Sequence, residues 1–304
     1  MNGVIPLWKP AGMTSHDCVA RIRKLLKMKR VGHTGTLDPE VEGVLPICLG
    51  KATKIVSLLT ESAKEYEAEV SLGKQTTTED QTGEIIAENT VDPSLTLDRC
   101  HNALQAFQGQ IQQTPPMYSA VKVNGKRLYE YARAGIEVER PTRTVEIHDV
   151  NMLSDDLKWV NEKDVRFSFR VRCSSGTYIR TLCVNIGEKL GLPAHMSHLV
   201  RTKAASFSAE DTVTFSDIEA AISNDDLSSV IHNLATSLHF LPAYIVSDAE
   251  EERRFIQGQV LDEFVDLKKG SLIKIERPDQ TVLAIYQHHP TKPGKMKPFK
   301  VFEE

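Results

Sequence analysis

The segment Gly32-His33-Thr34-Gly35-Thr36-Leu37-Asp38-Pro39-Glu40-Val41-Glu42-Gly43 brings together side chains and backbone types suited to chemistry. Its glycines make it a poor helix, and a proline after Asp38 disfavours helical dihedrals there, so the segment reads as a shaped loop presenting a carboxylate. An Asp-Pro turn standing alone is more often structural than catalytic. A second stretch, Ser174-Ser175-Gly176-Thr177-Tyr178-Ile179-Arg180, places Tyr178 and Arg180 where a strand ends and a helix begins. Taken singly, Arg180 reads as a surface ion-pair partner and Tyr178 as a core aromatic with its hydroxyl satisfied. Gly50-Lys51-Ala52-Thr53 resembles the end of a phosphate loop only superficially: no glycine stands five residues before Gly50, and Lys51 is not followed by serine or threonine. His195 and His198 have the spacing of one helical turn, but no third ligand accompanies them, and no metal is expected. Cys18, Cys48, Cys100, Cys173 and Cys183 are scattered, odd in number and without a C-x-x-C pair, so they read as ordinary reduced thiols.

Periodicity indicates the elements that must position these groups. Thr14 and Asp17 stand in a capping-box relation ahead of Val19, Ile22, Leu25 and Leu26, which repeat at helical spacing with Arg21, Arg23, Lys24 and Lys27 on the other side. Residues 64–73 alternate as a half-buried strand, and 164–173 does so more clearly. Leu182, Ile186 and Leu190 recur every four residues, and Gly191 with Pro193 supplies a helix stop. Residues 217–241 read as helical. From about 242 onward, short apolar runs such as 271–275 and 281–286 are separated by turn residues, the pattern of a small β-rich domain. Residues 292–300 carry four lysines among prolines and a glycine, a composition that suits a loose tail or a polyanion contact. Strands and helices intermingle without a strict βαβ repeat, so the fold class is mixed α/β (α+β), with a largely antiparallel sheet and flanking helices.

The 304 residues are 40% hydrophobic and 26% charged, enough apolar material for one large core and a second small one. A net charge of -4 excludes a chain coated throughout in basic residues, so a nucleic-acid partner would need a local patch. Residues 1–54 supply a candidate, with nine basic and four acidic side chains. A solvated basic helix is the commoner meaning of such a face in isolation. No run approaches the length of a membrane span, and the first residues lack the basic start and apolar stretch of a signal peptide, so a cytoplasmic location is expected.

Residues Gly32–Pro46 and Cys173–Thr202 resemble the bacterial TruB family of pseudouridine synthases, which act on the T-loop of transfer RNA. The likeness extends to Lys9–Asp17, the Lys64-Glu65-Tyr66 strand, the block Pro115–Arg133, and Ala194–Leu199 with Arg201-Thr202, covering most of the first 205 residues in family order. It implies a pseudouridine-synthase-type catalytic domain over residues 1–240 and a small C-terminal PUA-like RNA-binding domain over 241–304. It implies that Asp38 is the catalytic carboxylate, Arg180 its charge partner and Tyr66 the group against the target base. His33, Tyr178 and Leu199 would line the uridine pocket. It also implies a tRNA substrate gripped at the T-loop and T-stem, no metal or cofactor, no obligate protein partner and a monomer.

With that resemblance the basic face at Arg21, Arg23, Lys24 and Lys27 becomes a phosphate contact, since an acidic protein that grips RNA must concentrate its positive charge. Two departures stand out: Val41-Glu42 where Ala-Thr is common in the family, and Asn185 where an aspartate is frequent. The competing readings are a non-catalytic RNA-binding or chaperone protein and a subunit of a guide-RNA-dependent complex. The latter is disfavoured because the chain lacks long basic extensions.

Overall fold

The chain begins with β1 (Gly3–Lys9) and α1 (Ser15–Leu25), followed by β2 (Val31–His33), β3 (Glu42–Leu49) and the short α2 (Val56–Glu61). The computed structural model describes residues 1–302 and divides them into two units, one formed by residues 1–60 with 204 onward and the other by 61–203. In the first unit, β1 pairs antiparallel with β3 from Gly3 opposite Leu49 to Lys9 opposite Gly43, and β2 pairs with the end of β3. The capping box forms as its residues require: Thr14 Oγ1 accepts from the Asp17 N–H at 3.0 Å, and Asp17 Oδ2 accepts from the Thr14 N–H at 2.9 Å. Cys18, Val19 and Ile22 turn the apolar side of α1 onto Ile5, Leu7, Leu45 and Ile47. Helix α1 stops at Leu25, and Lys27 lies beyond it with a left-handed φ of 51°.

The second unit runs through β4 (Lys64–Leu72), β5 (Lys74–Thr76), β6 (Ile85–Glu88), α3 (Leu97–Gln105) and β7 (Gly109–Gln113). It continues with β8 (Lys122–Val123), β9 (Lys126–Arg127), α4 (Leu128–Arg133), β10 (Arg143–Met152), β11 (Lys158–Asn161) and β12 (Asp164–Cys173). Helix α5 (Ile179–Leu190) and β13 (Ala194–Ala204) close it. Its sheet has the order β13-β4-β12-β10-β7. β12 pairs antiparallel with β4 over nine residues, from Val165 opposite Leu72 to Cys173 opposite Lys64. The alternation of 164–173 follows from this central position: Val165, Phe167, Phe169 and Val171 are buried while Arg170 and Arg172 face out. Helix α5 is buried on nearly all sides and ends at Gly191, whose φ of 76° is the left-handed cap that glycine adopts without strain. Gly187 admits the returning chain, because a Cβ there would lie 2.4 Å from the Ala194 Cβ.

Back in the first unit come β14 (Phe207–Ser208), α6 (Phe215–Ser223), α7 (Leu234–Ser237), β15 (Ala243–Ile245) and α8 (Ala249–Ile256). The last strands are β16 (Leu261–Asp262), β17 (Leu272–Glu276), β18 (Val282–His288) and β19 (Lys295–Val301). The expected helical stretch 217–241 is thus two α-helices separated by a break, at which Asp225 takes a left-handed φ of 54°. The lysine-rich 292–300 is no loose tail, since most of it is a strand of the five-stranded sheet β15-β17-β18-β19-β16. Val282, Ile285 and Phe302 of this C-terminal region share a core with Val4, Val44 and Cys48. All five cysteines are buried and unbridged, and burial pushes the Cys48 thiol up to about 12 and the Cys173 thiol up to about 11. No helix among the described residues is long and apolar enough to cross a membrane. The architecture is the mixed, largely antiparallel α/β class that the pattern predicts.

Candidate active site

In the first unit, Asp38 sits on the loop between β2 and β3, half-buried, and His33 is the last residue of β2. The loop is clamped on both sides of Asp38. The buried Ser15 hydroxyl accepts from the Leu37 N–H at 2.9 Å, and the Asp38 carbonyl accepts from the Val41 N–H at 3.1 Å. The Pro39 carbonyl accepts from the Gly12 N–H at 3.0 Å and from the Lys9 ammonium at 2.9 Å. Lys9 is fully buried and also donates to the Pro10 and Met13 carbonyls, so a buried charge is spent on holding backbone. Val41, one of the departures from the family pattern, is buried and pins the turn, while Glu42 begins β3. The His33 Nδ1 accepts from the Gly35 N–H at 3.3 Å. His16 packs edge-on against His33 with ring centroids 5.3 Å apart.

The basic face on α1 is only partly uncommitted. Arg21 donates to Glu219 at 2.9 Å and lies 4.2 Å over the Phe215 ring, and Arg23 donates to the Val31 carbonyl at 2.9 Å. Lys24 and Lys27 are exposed.

In the second unit, Tyr66 lies on β4, Leu199 on the neighbouring β13, and Tyr178 and Arg180 at the start of α5. Tyr178 is the N-cap of α5 without a capping side chain of its own. Gln113 replaces that cap: its Oε1 accepts from the Tyr178 N–H at 2.7 Å and its Nε2 donates to the Tyr178 carbonyl at 2.9 Å. Arg143 lies 5.6 Å from the centre of the Tyr178 ring. Arg180 is 5% exposed, in the first turn of a buried helix where the macrodipole opposes a cation. Oxygens compensate for that placement. The guanidinium donates to the Thr78 and Tyr118 carbonyls, both at 2.9 Å, and lies 3.8 Å from Asp80 Oδ2. Asp80 is itself fixed by the Thr78 and Thr82 hydroxyls at 2.7 and 2.6 Å. Arg180 is therefore no surface ion-pair residue; it is a planar donor held in a set orientation.

Ser15, Gln113 and Asp80 escape sequence reasoning. Each is a single polar residue whose partner lies elsewhere in the chain. The run Thr76–Thr82, dense in threonine around Glu79-Asp80, is the one local signal. His195 and His198 lie on strand β13, not on a helix, so their spacing puts them on opposite faces: His195 is buried with its Nδ1 2.8 Å from the Lys74 carbonyl, and His198 is exposed. No metal-binding cluster occurs among the described residues.

Residues 23–179 match the N-terminal domain of TruB family pseudouridylate synthase, and residues 180–241 match the tRNA pseudouridylate synthase B C-terminal domain. The chain is 50% identical over 301 residues to the tRNA pseudouridine synthase B of Bacillus thuringiensis (strain Al Hakam), an alignment covering 99% of this chain and 97% of that one. It is 51% identical over 304 residues to the protein of that name from Geobacillus thermodenitrificans, covering 99% and 100%. Its fold matches a chain in the crystal structure of a Cbf5–Nop10–Gar1 complex with a TM-score of 0.74, 29% identity, and coverage of 99% of this chain and 84% of that one. A chain in an H/ACA ribonucleoprotein bound to a substrate RNA containing 2'-deoxyuridine gives a TM-score of 0.72 at 27% identity, covering 99% and 85%. Domain matches spanning residues 23–241 and half-identity along nearly the whole length leave one conclusion: the chain belongs to the TruB family of pseudouridylate synthases and is an enzyme of that class.

Proposed function

We propose that the chain isomerises a uridine in the T-loop of transfer RNA, at position 55, to pseudouridine, with Asp38 as the reacting carboxylate. The observation that carries the tRNA substrate is the half-identity, over 99% of the chain, to relatives named tRNA pseudouridine synthase B. The isomerisation breaks the C1'–N1 bond, turns the base and joins C1' to C5 without releasing the base. A carboxylate at the sugar and ring is the minimal reactive group for this, and it must be ionised. Arg180, with its fixed planar fork, serves as the charge partner that favours the carboxylate.

Tyr66 stacks on the uracil and relays the proton that leaves C5 at the end, taking it on Oη once the phenol's own proton has passed to water. In that step the C5–H pair becomes the C5=C6 double bond, the C6=N1 π pair passes to N1, and N1 takes up a proton from water. His33, Tyr178 and Leu199 line the pocket that receives the extruded uridine, whose unstacking costs a few kcal/mol. The nucleus of phosphate contact is Lys24 and Lys27, with Arg21 and Arg23 contributing less because their guanidiniums already hold protein groups. Residues 241–304 act as a small RNA-binding domain appended to a catalytic domain of residues 1–240. The enzyme works as a monomer without a partner protein.

The test is incubation of the purified protein with an unmodified tRNA transcript and mapping of the product. Pseudouridine at position 55, formed without guide RNA or added protein, supports the reading. No product on bare transcript, or product at another position, overturns it.

A further inference from the structure

Tyr66 shares its stretch of sheet with two buried cations of its own unit, Lys64 and Arg201. Two cross-strand hydrogen bonds, Ser197 Oγ to Glu69 Oε1 at 2.7 Å and Thr202 Oγ1 to Glu65 Oε1 at 3.1 Å, bracket the stretch of β13 and β4 that carries Arg201 and Tyr66. Arg201 is among the largest fully buried side chains in the protein, 1% exposed, and its guanidinium is hydrogen-bonded to the Tyr66 hydroxyl. Lys64 precedes Tyr66 by two residues on the same strand and is buried as well. From β12, Val171 stands opposite Tyr66 and Cys173 opposite Lys64. A guanidinium has donors only, so Tyr66 Oη must be the acceptor in this bond. The phenol's own proton is thereby turned toward some other acceptor. A buried arginine is costly to keep, and here it is in contact with the proposed base.

We infer that Arg201 is the positioning residue for Tyr66: its guanidinium fixes the direction of the Oη lone pairs and stabilises the negative charge that Oη carries once the phenol's own proton has passed to water, so that Oη can then take the proton from C5. This rests on the assignment of Tyr66 made above. Arg201 touches neither base nor sugar in this scheme and acts through the phenol. Lys64, whose ammonium burial and the nearby Arg201 lower to about 8, adds a second, weaker field of the same sign.

The experiment measures single-turnover pseudouridine formation on tRNA transcript between pH 6.5 and 9.5. It compares wild type, Arg201→Met, Arg201→Lys, Tyr66→Phe and the Tyr66→Phe/Arg201→Met double variant. Arg201→Met is expected to slow turnover roughly 10- to 100-fold at pH 7, no more than the low end of what a general base contributes, with tRNA affinity changed less than about twofold. The deficit should shrink toward pH 9, where solvent deprotonates a phenol that has lost its cation. In the Tyr66→Phe background the same change should cost less than about twofold more. Arg201→Lys keeps a buried cation and carries the same comparison should Arg201→Met not fold; its smaller loss should likewise vanish in the Tyr66→Phe background. Equal fold-losses in both backgrounds, or a deficit independent of pH, overturn the inference while leaving Tyr66 as base. A fully active Tyr66→Phe overturns the Tyr66 assignment itself, and the inference with it.

Discussion

Replacing Gln113 by alanine removes the two contacts that substitute for a helix cap on α5, and the structure sets the size of the effect. The part-buried Tyr178 N–H loses its 2.7 Å acceptor, at about 1–3 kcal/mol. The Tyr178 carbonyl loses the 2.9 Å amide donor but keeps the Leu182 N–H at 3.1 Å, so its loss is smaller, about 1 kcal/mol. The sum, roughly 2–4 kcal/mol, corresponds to a melting temperature lower by about 3–6 °C for a chain of this length. Because Arg180 is two residues further along, a displaced helix start also moves its guanidinium, and single-turnover activity should fall more than tRNA affinity. Gln113→Glu separates the two bonds. Its carboxylate still accepts from the N–H, but only the protonated form donates to the carbonyl, so this variant should melt closer to wild type at pH 5 than at pH 8. Differential scanning fluorimetry and single-turnover assays read both effects. If Gln113→Ala melted within about 2 °C of wild type with unchanged turnover, the capping role would be refuted.

Three further outcomes are expected. Ser15→Ala leaves the buried Leu37 N–H without its acceptor, lowering stability by about 1–3 kcal/mol and turnover with it, whereas Ser15→Thr should retain most of both; calorimetry and single-turnover rates decide this. Lys64 has a folded pKa of about 8 against 10.5, so between those values the unfolded chain binds more protons and stability should rise with pH. That contribution is on the order of 3 kcal/mol, and Lys64→Met should flatten the rise in denaturant titrations between pH 8 and 10. Lys24→Ala with Lys27→Ala should weaken tRNA binding and reduce the salt slope by roughly one to two, as loss of two phosphate contacts requires, with Arg21→Ala altering the slope less. Filter binding across a salt series would contradict this if the slope did not change.

The elements that could be read from sequence are those whose signal is local. Helix α1 announces itself through Thr14, Asp17 and the spacing of Val19 and Ile22, and the central strand through its four buried apolar residues alternating with arginines. Residues 217–241 misled because periodicity tolerates a break that only the backbone at Asp225 reveals. The lysines after residue 292 look like tail because charge hides strand alternation, and Pro298 reinforces that impression. β16 pairs with β19 only at Lys295 and Met296, so beyond them Pro298 lies where no partner on that side needs its missing N–H. At the candidate site, the shaped Asp38 loop and the strand-to-helix placement of Tyr178 and Arg180 follow from glycine, proline and periodicity. The supports do not. Ser15 meets Leu37 22 residues away, Gln113 meets Tyr178 65 away, and Arg180 meets Thr78 102 away, and no spacing rule encodes such pairings. The burial of Arg180 is the clearest case, since an isolated arginine in sequence gives no indication that carbonyl oxygens will surround it.

Asp38→Asn tests the central claim most directly, because it removes the ionisable oxygen and almost nothing else. The variant and wild type are mixed in excess with a tRNA transcript, and pseudouridine is quantified over time beside tRNA affinity and melting temperature. The account predicts no product from Asp38→Asn, with affinity and melting close to wild type; product formed at the wild-type rate would contradict it.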